Sequence, residues 1–158
     1  MSTPAERITV SRRIAAPAAK IFSFIIDPDM HVAIDGSGML LASPDSEPVA
    51  AVGDTFLMNM DREPLGDIPM GKYQVQNTVT RFEQDRLLEW TIGMVDQEPL
   101  GHLYGYTLTP VSADETDVEL YCDWTNFSPA LKERVTWPVV PAHMLENSLG
   151  NLESLARR

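Results

Sequence analysis

The chain has 158 residues, 44% hydrophobic and 22% charged, a balance that supports a folded core without disulfides or metals and argues against wholesale disorder. Its formal charge of -11 argues against a phosphate-backbone partner, which needs clustered Lys and Arg; Arg12-Arg13 and Arg157-Arg158 are short, separated pairs. A lone cysteine, Cys122, excludes an internal disulfide, no apolar run approaches the ~20 residues of a membrane span, and polar Met1 to Arg7 lacks a signal-peptide core, so a cytoplasmic protein touching neither nucleic acid nor membrane is expected.

No repeat or linker divides residues 1–158, so a single domain is expected. Arg7 to Ile14 comes first, with Ile8, Val10 and Ile14 at strand period. Pro17 then suits a first helical position, and Ile21, Phe22 and Ile25 form the apolar stripe of a helix stopping near Asp27-Pro28. A second short helix over Met30 to Ile34 ends at Asp35-Gly36-Ser37-Gly38.

Short β-prone runs follow near Met39–Ala42, Asp54–Met60, Lys72–Glu83, Leu87–Gly93, Leu103–Pro110 and Thr116–Trp124. Alternation is clearest in the last, with Val118, Leu120, Cys122 and Trp124 on one face. Gln84-Asp85-Arg86 and Ser112-Ala113-Asp114-Glu115 are hairpin-length connections, so the strands are antiparallel. Asp61 to Pro69 and Met94 to Gly101 read as longer loops. After Ser128-Pro129, interrupted by Pro138, a helix from Pro141 to the end carries Leu145, Leu149, Leu152 and Ala156 on one stripe.

Strand, two short helices, six strands and a long helix imply an α+β layering: a seven-stranded curved antiparallel sheet wrapped around the C-terminal helix, with an apolar cavity between them. This helix-grip order resembles the SRPBCC, or START-like, superfamily over nearly the whole chain. The resemblance is carried by the run from Ile8 to Pro17, by Ile21-Phe22-Ser23-Phe24-Ile25-Ile26-Asp27-Pro28, and by the strands beginning Tyr104-Gly105-Tyr106 and Thr116-Asp117-Val118. Within it the chain looks most like the bacterial polyketide cyclase/dehydrase-like branch, departing from it at His31-Val32-Ala33-Ile34-Asp35, where many relatives place a Trp. The resemblance implies a small apolar ligand, aromatic, polyketide-like or lipid-like, either cyclised or dehydrated, or simply carried or sensed. A chaperone-cofactor-like interaction module is a further alternative, and a homodimer stays open.

The residues offer a sparse chemistry. His31 and Asp35, at i and i+4, would form an acid–base pair, or an exposed imidazole beside a turn-capping carboxylate. Tyr104 and Tyr106 share a strand face and would donate to an enolate, or line a cavity amphipathically. Met58, Asn59, Met60, Trp90, Leu120, Trp124 and Trp137 complete the expected ligand-binding lining. His31, His102 and His143 lack ligand spacing, so no metal is expected, and no nucleotide or dinucleotide motif suggests a cofactor. Asp96 and Glu98 would disfavour anionic ligands at the mouth.

Overall fold

The computed structural model describes residues 6–44 and 47–158. Seven strands form one antiparallel sheet: β1 (Arg7–Ile14), β2 (Leu40–Ala42), β3 (Thr55–Asp61), β4 (Lys72–Glu83), β5 (Leu87–Met94), β6 (Pro99–Ser112) and β7 (Glu115–Asp123). Their spatial order is β1-β7-β6-β5-β4-β3-β2. Consecutive strands from β2 to β7 are therefore neighbours, and β1 closes beside β7, as the short connections require. The fold is the helix-grip α+β arrangement.

Strand alternation decides which side chains face the grip. On β7, Val118, Leu120 and Cys122 lie opposite Leu108, Tyr106 and Tyr104 of β6. The same row continues through Leu88 and Trp90 of β5 and Val79 of β4. Val79, Leu88, Leu108 and Val118 are each 2% exposed or less.

Helices α1 (Ala18–Ile25) and α2 (Pro28–Ile34) follow β1. Asp27-Pro28 both ends the first helix and starts the second: the Asp27 side chain accepts from Asp29 N at 3.0 Å, and Pro28 loses no helical hydrogen bond at the first position. A short α3 (Pro129–Lys132) precedes the 15-residue α4 (Ala142–Ala156). Helix α4 buries Leu145, Leu149 and Leu152 against the sheet and packs beside β1 and β7.

The loop expected from Met94 to Gly101 is shorter, because β6 begins at Pro99, which pairs with Gly93. Gly101 permits this. Its φ of +107° suits glycine, and a Cβ there would sit 1.9 Å from the Asn126 carbonyl. Gly36 likewise lets the turn after α2 touch α4, since a Cβ would lie 2.4 Å from the Met144 carbonyl.

The convex face of the sheet carries a polar cluster of its own. Tyr121 crosses over Gly105 and donates its hydroxyl to Glu89, which also accepts from Thr80 at 2.8 Å. The Arg7 guanidinium lies 3.9 Å above the Tyr121 ring.

Candidate functional site

Between the sheet, the start of α4 and the segment leading into it lies a cavity of about 610 Å³. That is ordinary for a small-molecule site (roughly 300–1,000 Å³). Its floor comes from the concave faces of β3 to β7, including Met58, Met60, Trp90, Tyr104, Tyr106 and Leu120. Residues 127–140 contribute Phe127, Leu131, Val135, Trp137 and Val140, while Ile68 and Met70 reach in from the β3–β4 connection.

His31 is buried in this wall, its ring 5.1 Å from Trp90 and 5.3 Å from Phe56 between centroids. Its Nε2 lies 2.6 Å from the Ile25 carbonyl. A carbonyl only accepts, so Nε2 bears the proton and a neutral ring leaves Nδ1 as the acceptor. Burial lowers the His31 pKa; the Ile25 contact and the Asp27 charge oppose this less strongly.

The expected His31–Asp35 pair is not formed. Asp35 Oδ1 accepts from Ser37 N and Ser37 Oγ at 2.9 and 2.6 Å, and Oδ2 from Gly38 N and Leu40 N at 2.9 and 3.3 Å. The carboxylate organises the turn after α2, as Asp before Gly commonly does. It still lines the cavity, and its charge reaches Tyr106.

Tyr104 and Tyr106 both enter the cavity, with rings stacked against Trp90 at 6.2 and 6.0 Å. Burial raises both phenol pKa values; Cys122 adds to the rise at Tyr104 and Asp35 to that at Tyr106. Both therefore stay protonated at neutral pH, as hydrogen-bond donors.

The rest of the expected lining divides. Met58, Met60, Trp90, Leu120 and Trp137 bound the cavity. Asn59 does not: alternation between the two methionines turns it to the convex face, where it accepts from Gln74 Nε2 at 2.8 Å. Trp124 also stands behind the wall, stacked on Trp137 at 5.4 Å and 9°.

Two polar lining residues, Asn77 and His102, escaped the sequence reading, and they join Trp137 in one property. Asn77 Oδ1, His102 Nδ1 and Trp137 Nε1 are buried without a hydrogen-bond partner among the described residues, and all three residues line the cavity. Asn77 sits between apolar Val75 and Val79, and His102 shares a face with Tyr104 and Tyr106, so each was visible as a polar side chain on an apolar face. His102 packs against Trp137 with ring centroids 5.5 Å apart. Burial pushes its pKa down to about 4, with the Arg62 cation acting in the same direction.

Charge at the rim also differs from expectation. Asp96 and Glu98 do not line the cavity; Arg62 and Arg134 do. Arg62 is held by Asp67 through paired contacts of 2.9 and 2.8 Å, whereas Arg134 pairs with no carboxylate among the described residues.

The fold recurs in solved bacterial structures. CV1439 from Chromobacterium violaceum superposes with a TM-score of 0.68 at 17% identity, over 97% of this chain and 99% of its own. NE0264 from Nitrosomonas europaea gives 0.67 at 14% identity, over 99% and 97%. The AHSA1-like protein from Aeromonas hydrophila gives 0.59 at 16% identity, over 96% and 92%. In sequence, the chain is 27% identical over 151 residues to the uncharacterised protein Rv0088 of Mycobacterium tuberculosis, covering 96% of this chain but 62% of that protein. No family model matches the chain. The structural likenesses show a helix-grip fold, shared with the AHSA1-like protein among others.

Proposed function

We propose that the protein binds a small, largely apolar molecule, aromatic, polyketide-like or lipid-like, inside the cavity under α4. One observation carries this reading: the cavity's apolar wall is interrupted by three buried polar atoms, on Asn77, His102 and Trp137, that have no partner among the described residues. Leaving such atoms unpaired costs roughly 1–3 kcal/mol each, and a ligand bearing complementary groups removes that cost. Apolar walls with a few placed polar groups are the usual form of a small-molecule site.

The reading favours binding over turnover. A cyclase or dehydratase needs a base, but burial weakens the basicity of His31 and Asp35 is committed to its turn. A filled core would have favoured an interaction module; an open cavity of about 610 Å³ supports a ligand carrier or sensor instead.

The test is fluorescence titration with N-phenyl-1-naphthylamine, a neutral dye that brightens in apolar surroundings, beside native mass spectrometry of the purified protein. Saturable one-to-one binding, lost in the cavity-filling Ile92→Trp variant, is expected. Absence of dye binding together with a ligand-free native mass would overturn the reading, whether or not that variant folds.

A further inference from the structure

The geometry points to an acidic amphiphile as the occupant: an apolar body along the sheet, and a carboxylate-like head on the polar lining that Trp137, His102, Arg62 and Arg134 provide. This rests on the ligand-binding reading above and narrows it to a chemical class.

The argument begins with the two orphaned nitrogens. Trp137 Nε1–H is a donor only, so its partner must be an acceptor. His102 packs on the same indole, and its Nδ1 is also buried and unpartnered among the described residues. An oxygen-bearing head reaching Trp137 thus also meets His102. The Trp137 ring is itself immobilised, stacked on Trp124 and edge-on to Phe127 at 4.8 Å, so its N–H is presented without a further ordering cost.

Charge then selects among acceptors. Arg62 is paired with Asp67, yet its cation is close enough to His102 to depress the protonation of that ring. Arg62 also favours the ionised form of Tyr104, although burial outweighs it. Arg134, free of any carboxylate among the described residues, lines the same cavity. Asp35 also lines the cavity, where its charge raises the Tyr106 phenol. Two arginine side chains thus line the cavity of a chain whose net charge is -11. An anionic head is drawn toward Arg134 and Arg62 and away from Asp35.

Displacement of N-phenyl-1-naphthylamine by dodecanoate and by methyl dodecanoate tests this, because the two share an apolar chain and differ in charge at the head. Dodecanoate is expected to displace the dye at least 10-fold more effectively. Trp137→Phe and Arg134→Gln should each shrink that acid-over-ester ratio by 3-fold or more, a ratio in which any change of dye affinity cancels. Arg134 is exposed, so its variant tests the charge without disturbing the core. Dye binding with equal displacement by acid and ester would overturn the acidic head while leaving the cavity reading intact. So would a ratio that survives both substitutions. No dye binding at all would instead remove the cavity reading and, with it, this one.

Discussion

His31 points its Nε2 at the carbonyl of Ile25, 2.6 Å away, and not at the carboxylate of Asp35. This bond ties the last turn of α1 to the middle of α2 and orients the imidazole between Phe56 and Trp90. The ring is thereby a structural tie with one nitrogen left over, which is why turnover through a His–Asp pair has little support here.

Burial of two neutral imidazoles makes stability depend on pH with a definite sign. His102 falls from 6.5 in the unfolded chain to about 4 in the fold, and His31 is lowered too. Between those values the unfolded state binds more protons, so stability is full above pH ~6.5 and is lost as pH falls toward 4. For His102 alone the loss is on the order of 3 kcal/mol. Urea denaturation at pH 7.5 and pH 4.5 should show it, and the His102→Gln variant should lose visibly less. Equal losses in both proteins would show that His102 does not titrate across folding.

Packing of the long helix gives a second expectation. Leu149 is 1% exposed and sits between Leu145 and Leu152 on the buried face of α4. Leu149→Ala should cost ~2–5 kcal/mol in chemical denaturation, the range for a buried large-to-small change. A cost under ~0.5 kcal/mol would place that face in solvent.

Most of this architecture was legible in the sequence because period-two and period-3.6 patterns report which face is buried. The alternation on β7 placed Leu120 in the wall, and the Leu145, Leu149 and Leu152 stripe placed α4. Asn59 was misplaced because adjacency to two methionines was allowed to outweigh alternation, which assigns neighbours to opposite faces. Trp124 shares the parity of Leu120 but lies just past the end of β7, where the chain turns and the indole packs behind Trp137. Arg62 and Arg134 were invisible for another reason: both lie outside the regular strands and long helices, and the folding of their connections brings them to one cavity.

The convex face makes its own prediction. A Cβ on Gly105 would lie 2.3 Å from Tyr121 Cζ, so Gly105→Ala must displace the ring that hydrogen-bonds to Glu89. Overpacking and a weakened buried hydrogen bond together should cost about 2–4 kcal/mol. Dye binding on the opposite face should persist wherever the variant is folded. An unchanged urea midpoint would show that Tyr121 does not depend on the missing side chain.

Cys122 should be chemically silent in the native state. It is 1% exposed, and burial raises its thiol pKa to about 12, leaving little thiolate to react. Labelling with an aromatic disulfide reagent at pH 8 should be at least ~100-fold slower in the folded protein than in denaturant. Comparable rates would mean that the β6–β7 region opens readily.

The last prediction separates binding from chemistry at Tyr106. Its ring packs on Trp90 at 6.0 Å and is 5% exposed, and its phenol, raised by burial and by Asp35, remains a donor facing the cavity. Tyr106→Phe removes one hydroxyl while keeping nearly all the buried ring area, so the fold and the affinity for N-phenyl-1-naphthylamine should be preserved. A natural ligand that uses this hydroxyl should lose ~0.5–1.5 kcal/mol of binding, the contribution of one ordinary hydrogen bond. A catalytic role would look different, because stabilising an enolate in the transition state should make turnover fall roughly 100-fold or more while affinity moves little. The measurement is affinity, alongside product analysis by mass spectrometry, for whatever molecule co-purifies with the native protein, in the unmodified chain and in the Tyr104→Phe and Tyr106→Phe variants. A modest loss of affinity with the molecule recovered unchanged is the expected result for a carrier or sensor. Conversion of that molecule by the unmodified protein, abolished in either variant, would overturn the binding-only reading and assign the tyrosine a direct part in catalysis.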